Sequence, residues 1–149
     1  MQLQLVKSDN EVLREPTREV PELTDGVKAL VESLIDTLRA IKIGVGLSAN
    51  QVGATNRIAV INAPKYLKGV RVLINPVITW KSEETDVKEE SCLSLPKYSC
   101  HVRRAKEVIV AYTNRKGKLE TLKAKGFLAR IVQHELDHLD GLLIADRAE

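Results

Sequence analysis

The sequence predicts an α+β fold, with mostly antiparallel strands packed around a helix that carries two histidines and a further helix near the amino terminus. Three observations predict it. Leu23, Val27, Leu30, Val31, Leu34 and Leu38 recur at helical spacing. The β-branched runs "RIAVIN", "VRVLINPVITW", "EVIVAY" and "LETLKA" follow. From Gly126 the helical period returns, placing Phe127, Ile131, His134 and His138 on one side. Strands gathered between helices, rather than alternating with them, indicate α+β.

The first helix is expected over residues 24–39, with Thr24 or Asp25 capping it. The loop "GVGLSANQVG" comes next, then the strands, the last two joined by a hairpin turn at Gly117 in "RKGK". At 149 residues and 44% hydrophobic content, residues 1–149 are expected to form a single domain with a sizeable core.

Composition excludes several function classes. The 23 basic and 20 acidic residues are nearly balanced and the basic ones are scattered, so no specific nucleic-acid partner is expected. Aromatic content of 3% argues against a base-stacking platform. The start, "MQLQLVKSDNEVLREP", has no apolar core of signal-peptide length. The longest apolar run, Val108 to Tyr112, is far too short to span a membrane. A cytoplasmic protein is expected, in which Cys92 and Cys100 stay reduced and available to a metal.

The chemistry is carried by "VQHELDHLDG". Residues four apart on a helix lie on one face, so His134 and His138 can address one ion, and Glu135 falls where a general base would act on a water beside it. The competing reading is a polar surface that happens to hold two of the three histidines.

A catalytic zinc-like site has three protein ligands and an open position, so a third is required. In metzincin spacing it would fall at Ile144, which cannot bind a metal. A thermolysin-like glutamate on a later helix has no room, because the sequence ends at Glu149. The ligand is therefore sought upstream, among Cys92, Cys100 and His101. Context favours Cys92, in "EESCLSLP", read as a polar stretch between strands.

Gly44, Gly46 and Ala49 have the spacing of a dinucleotide fingerprint, but that motif follows a strand and opens a helix, the reverse of the order here. Glycines ahead of a strand instead let backbone approach backbone, as when an extended peptide lies alongside. Gln51 ends the loop with an amide donor and acceptor.

In this order and spacing, "GVGLSANQ", "ESCLS" and "QHELDH" resemble the three signature motifs of peptide deformylases, and the likeness covers nearly the whole chain. The resemblance selects Cys92 as the third ligand beside His134 and His138. It implies a single catalytic domain that removes the formyl group from N-formylmethionine at the amino terminus of nascent polypeptides, releasing formate. A water made nucleophilic by the metal would attack the formyl carbon, and Glu135 would carry its proton to the departing amine. The side chain of Gln51 and the N–H of Leu93 would hold the oxyanion. Val45, Gly46 and Ser91 would bind the peptide backbone as an added strand, and Val45, Phe127, Ile131 and His134 would line the methionine pocket. Arg130 stands at an edge position that is often apolar, where a basic rim would favour acidic or extended peptides.

The same likeness implies one divalent ion, ferrous iron in the cell, with zinc, nickel or cobalt as alternatives. It also implies a monomer that meets the ribosome only transiently. Two positions depart from the family pattern: Ser91 replaces a usual glycine and Ser48 a usual alanine. A short form without the further C-terminal helix of many bacterial members is expected.

Overall fold

The computed structural model describes residues 1–149. Helix α1 spans Asp25–Ala40, and the Thr24 hydroxyl accepts from the N–H of Val27 at 3.2 Å, so the cap is Thr24. Strands β1 (Gly46–Ser48), β2 (Ile58–Ile61) and β3 (Arg71–Lys81) follow. Next come β4 (Thr85–Cys92), β5 (Leu95–Ala105), β6 (Glu107–Thr113) and β7 (Leu119–Lys125). Helix α2, Gly126–Leu139, carries the histidines.

Five strands form one antiparallel sheet in the order β1-β2-β3-β6-β7. Its β6–β7 hairpin turns at Gly117, whose φ of 86° suits a residue without a Cβ. All four residues of β2 are buried, because the strand is covered on both faces. The two-residue period divides them: Ile58 and Val60, with Val72 and Ile74 of β3, pack against Val31, Leu34 and Leu38 of α1. Ile61 and Leu73 join Val110, Tyr112 and the α2 residues Leu128, Ala129, Val132 and Leu136. Beside this core, Ile131 and His134 of the helix border an open cavity that Gly46 at the sheet edge also lines.

Strands β4 and β5 form a separate antiparallel pair. Here the sequence reading needs correction. "EESCLSLP" is not a stretch between strands but the end of β4, a turn at Leu93 and Ser94, and the beginning of β5. Most side chains of β4 face solvent, so it lacks the apolar alternation by which strands are recognised. The register slips between Ser91↔Ser99 and Cys92↔Leu95, and Lys97 in the resulting bulge adopts a left-handed φ of 68°.

This hairpin is locked to α2 by buried charge. Glu90 receives two bonds from Arg104, at 2.9 Å each, and one from Arg130 at 2.5 Å. Arg104 also pairs with Asp137 of α2, and Arg130 with Asp86 at 2.8 Å. The side chains of Arg104 and Glu90 are 3% and 6% exposed, so the pairing has to be nearly complete to offset desolvation. Burial alone would raise the Glu90 pKa, but hydrogen bonds with His134 and Arg104 outweigh it and hold the carboxyl well below the usual range. A carboxylate so depressed contributes stability that is present above about pH 4.5 and is lost as pH falls.

Removing Glu90 leaves two guanidinium groups short of a buried partner. Glu90→Ala in chelator-treated protein is expected to lose about 3–5 kcal/mol, measured by urea unfolding. A loss below about 1 kcal/mol would mean that the network does not anchor the hairpin.

Candidate metal centre

Cys92 is the last residue of β4, and His134 and His138 lie one turn apart on α2. Cys92 Sγ is 3.2 Å from His138 Nε2, which is 3.2 Å from His134 Nε2. All three donor atoms lie within 4.8 Å of one another. Two nitrogens each about 2.0–2.1 Å from one tetrahedral ion stand about 3.3 Å apart, so the spacing fits a single divalent cation. One soft sulfur and two imidazoles suit zinc or ferrous iron better than magnesium or calcium.

The surroundings orient these donors. His134 Nδ1 lies 3.0 Å from Glu90 Oε1, a carboxylate that can only accept, which leaves the lone pair on Nε2 for a metal. His138 is 1% exposed, and its main-chain carbonyl accepts from Asn50 Nδ2 at 2.5 Å. The imidazoles respond oppositely to the field. Burial would lower His134, but hydrogen bonds with Cys92 and Glu90 and the charge of Glu135 push it up to about 10. Burial, then the charges of His134 and Arg104, push His138 down to about 3. The cluster thus favours one positive charge among its donors and a neutral second imidazole.

Glu135 is 4% exposed and its Oε1 has no hydrogen-bond partner. Its carboxylate lies against the backbone of β1: a Cβ at position 46 would stand 2.6 Å from Oε2. Gly46 is therefore required by the side chain of Glu135, not only by the approach of a peptide. Burial pushes the Glu135 pKa up to about 7, against the lowering charges of His134 and Arg104. A carboxylate poised near neutrality, with an unoccupied oxygen, has the properties of a general base.

Gln51 points its amide into the same space. Its Oε1 accepts from the N–H of Ser48 at 3.0 Å, so its Nε2 is turned the other way, 3.0 Å from Ser94 Oγ and 3.9 Å from Cys92 Sγ. The N–H of Leu93, in the β4–β5 turn, has no acceptor within the chain. A cavity of about 750 Å³ opens over these groups, within the range of ligand pockets. Val45, Gly46, Ser91, Phe127, Arg130 and Ile131 all line it, as do Gln51, Leu93, His134 and Glu135.

Cys100 and His101 do not join the cluster. Cys100 Sγ faces the carbonyl of Ile144 at 3.5 Å, and His101 is an exposed residue of β5 paired with Glu89. Ser91 sits in β4 without a positive φ, so it replaces glycine without backbone strain. Arg130 requires a correction: its guanidinium is not a free basic rim, because Glu90, Asp86 and the carbonyl of Val102 already occupy it. Those partners lie on two other strands, where helix periodicity gives no hint of them. The sequence reading also missed Glu90, Arg104, Asn50 and Ser94. Glu90 and Ser94 flank Cys92 inside a quoted motif, and that adjacency was the available signal.

The family model described as "Polypeptide deformylase" matches residues 2–149. The peptide deformylase of Desulfitobacterium hafniense is 42% identical over 146 residues, covering 98% of this chain and 94% of that one. The peptide deformylase of Thermotoga maritima superposes with a TM-score of 0.92 at 35% identity, covering 100% of this chain and 99% of that one. The Ehrlichia chaffeensis peptide deformylase, solved in complex with actinonin, gives 0.93 at 33% identity, covering 99% of this chain and 89% of that one.

The raised pKa of Glu135 has a consequence for stability. From about pH 4.5 to about 7 the folded chain holds a proton that the unfolded chain has released, so this group's contribution falls as pH rises through that window. Glu135→Gln removes the penalty. In chelator-treated protein at pH 8 the variant is expected to be more stable by about 3 kcal/mol, a gap that closes below about pH 4.5. Parallel stability–pH curves for the two proteins would refute it.

Proposed function

This chain belongs to the polypeptide deformylase family, and from that premise we propose how its residues carry out the reaction. It is a metal-dependent enzyme that removes the formyl group from N-formylmethionine at the amino terminus of newly made polypeptides. The residue roles below rest most heavily on one observation, the convergence of Cys92, His134 and His138 beside the unpartnered carboxylate of Glu135.

A divalent ion held by Cys92, His134 and His138 would supply Lewis-acid polarisation of the formyl oxygen and would lower the pKa of an attacking water. Glu135 takes a proton from the attacking water as the water's oxygen adds to the formyl carbon. The same carboxyl then delivers that proton to the nitrogen as the C–N bond breaks, leaving a free amine and formic acid, which ionises to formate. The amide of Gln51 and the N–H of Leu93 donate to the oxygen on which negative charge develops. Their support is geometric: one donor is turned into the cavity by Ser48, and the other has no acceptor of its own.

Val45, Phe127 and Ile131 take the methionine side chain against the apolar wall of the cavity, with His134 at its floor. Val45, Gly46 and Ser91 bind the peptide backbone as an added strand along β1 and β4. Arg130 shapes the pocket edge through its stem, while its charge stays with Glu90 and Asp86. Residues 1–149 act as one catalytic domain. The ion in the cell is ferrous iron, although the donor set also accepts zinc, nickel or cobalt. The protein works as a cytoplasmic monomer that meets nascent chains and touches the ribosome only transiently, without a specific nucleic-acid contact. A merely structural metal site is disfavoured, because burying the unpaired Glu135 would cost stability for no coordinating duty.

Anaerobically purified protein is expected to release formate from a short N-formylmethionyl peptide, and a chelator should abolish that release. Glu135→Gln should lower kcat/KM by about 10²–10⁴-fold with the metal retained. Cleavage of internal bonds in an unformylated peptide would instead mark a peptidase. For the metal, the iron-loaded form should lose activity in air through damage at the Cys92 thiolate, and the zinc-loaded form should not. Equal lifetimes with and without oxygen for the iron form would contradict this.

A further inference from the structure

The hydroxyl of Ser48 occupies a buried junction that an alanine at this position could not supply. Its single hydrogen is shared between Asn50 Oδ1 at 2.8 Å and Gln51 Oε1 at 3.0 Å. Asn50 in turn donates through Nδ2 to the main-chain carbonyl of His138 at 2.5 Å. Because that carbonyl can only accept, the amide of Asn50 is fixed with its oxygen toward Ser48. The N–H of Ser48 likewise fixes the amide of Gln51 with its oxygen toward Ser48 and its nitrogen toward the cavity. Ser48 and Asn50 are 0% exposed and Gln51 is 1% exposed, so water cannot replace a lost partner in this chain of bonds.

We propose that Ser48 is a positioning residue, whose hydroxyl ties the Gln51 amide through Asn50 to the backbone of the metal-ligand His138. Asn50, itself part of the 3₁₀ turn Ala49–Val52 that presents Gln51, bonds that turn to the last turn of α2, and the Ser48 hydroxyl couples the Gln51 side chain to this bond. A donor to a developing oxyanion is useful only if it is already in place, since reorganisation during the reaction forfeits its effect. Fixing Gln51 relative to His138 fixes it relative to the reacting carbonyl. The inference rests on the reading of Gln51 as an oxyanion donor, and the test separates the two.

Formate release is compared in the metal-loaded wild type, Ser48→Ala, Gln51→Ala and the double variant. Ser48→Ala should fold, and is expected to lower kcat about three- to tenfold at unchanged KM, the loss of one buried hydrogen bond felt in the transition state. In the Gln51→Ala background the same change should alter kcat by less than about twofold. Ser48→Cys, similar in shape though somewhat larger and only a weak donor, should repeat the loss and takes the place of Ser48→Ala if that variant does not fold. Independently of activity, NMR of chelator-treated protein should show faster solvent exchange of the Gln51 side-chain amide in Ser48→Ala. A wild-type kcat in Ser48→Ala with Gln51→Ala impaired overturns the role of Ser48 alone. Equal losses from Ser48→Ala in both backgrounds overturn it as well. A wild-type rate in Gln51→Ala overturns the reading of Gln51 and the positioning role with it.

Discussion

One sulfur and two nitrogens are crowded within 4.8 Å of one another, His138 Nε2 standing 3.2 Å from each of the other two, and the rest of the structure serves to hold them there. They come from two elements, the tip of a two-stranded hairpin and the open face of a helix. Apolar contact contributes little near this tip: Ala105, at the far end of β5, shares the core of α2, while the cluster by the tip is only Cys92, Val102 and Ile144. The stronger link is Glu90, which accepts from two arginines and lies within bonding distance of a ligand histidine. Placing the anchor two residues before Cys92 fixes the strand end on which the cysteine sits. The same group that fastens the hairpin also sets the tautomer of His134, so fold and metal chemistry depend on one carboxylate.

The large sheet supplies the other half of the constraint. Strand β2 is covered on both faces, so α1 and α2 are held against opposite sides of a single layer. Short β1 is the edge strand beside it, and this edge meets the catalytic face of α2. There the close approach of Gly46 to Glu135 decides which residue is tolerated. A side chain at 46 would have to displace the carboxylate, while glycine lets it lie flat against the edge strand. In the proposed mechanism, substrate recognition and base placement share the same few ångströms of backbone.

Much of this was legible in the sequence for identifiable reasons. Both helices announced themselves because their buried residues recur at 3.6-residue spacing, and β2, β3 and β6 because they are rich in valine and isoleucine, while β7 is marked by the turn at Gly117 that precedes it. Strands β4 and β5 were not legible, because most of their side chains face solvent and their two buried charges, Glu90 and Arg104, form a pair that only the fold assembles. Arg104 reads as a surface cation until Glu90 and Asp137 are seen around it. For the same reason Arg130 looked like a free charge at a pocket edge. Spacing alone gave two ligands and left the third open among Cys92, Cys100 and His101. The family resemblance closed that choice, and the geometry brings Cys92 alone of the three to the histidines.

Glu90 and Glu135 show how one residue type is given two tasks by its surroundings. Both are nearly buried, and burial pushes both toward the neutral form. Around Glu90 that push is overcome by donors at nearly every lone pair, which makes it permanently charged, immobile and unable to exchange a proton with anything. Glu135 is denied such partners: one oxygen has none, and the other rests against a glycine. Its proton affinity is thereby left near neutrality, where a base can both take a proton and give it up. A hydrogen-bond donor added beside Glu135 would make the fold more comfortable and the carboxylate less basic. The same satisfaction that makes Glu90 a good anchor would make Glu135 a poor catalyst, and the bare backbone at Gly46 keeps the two environments apart.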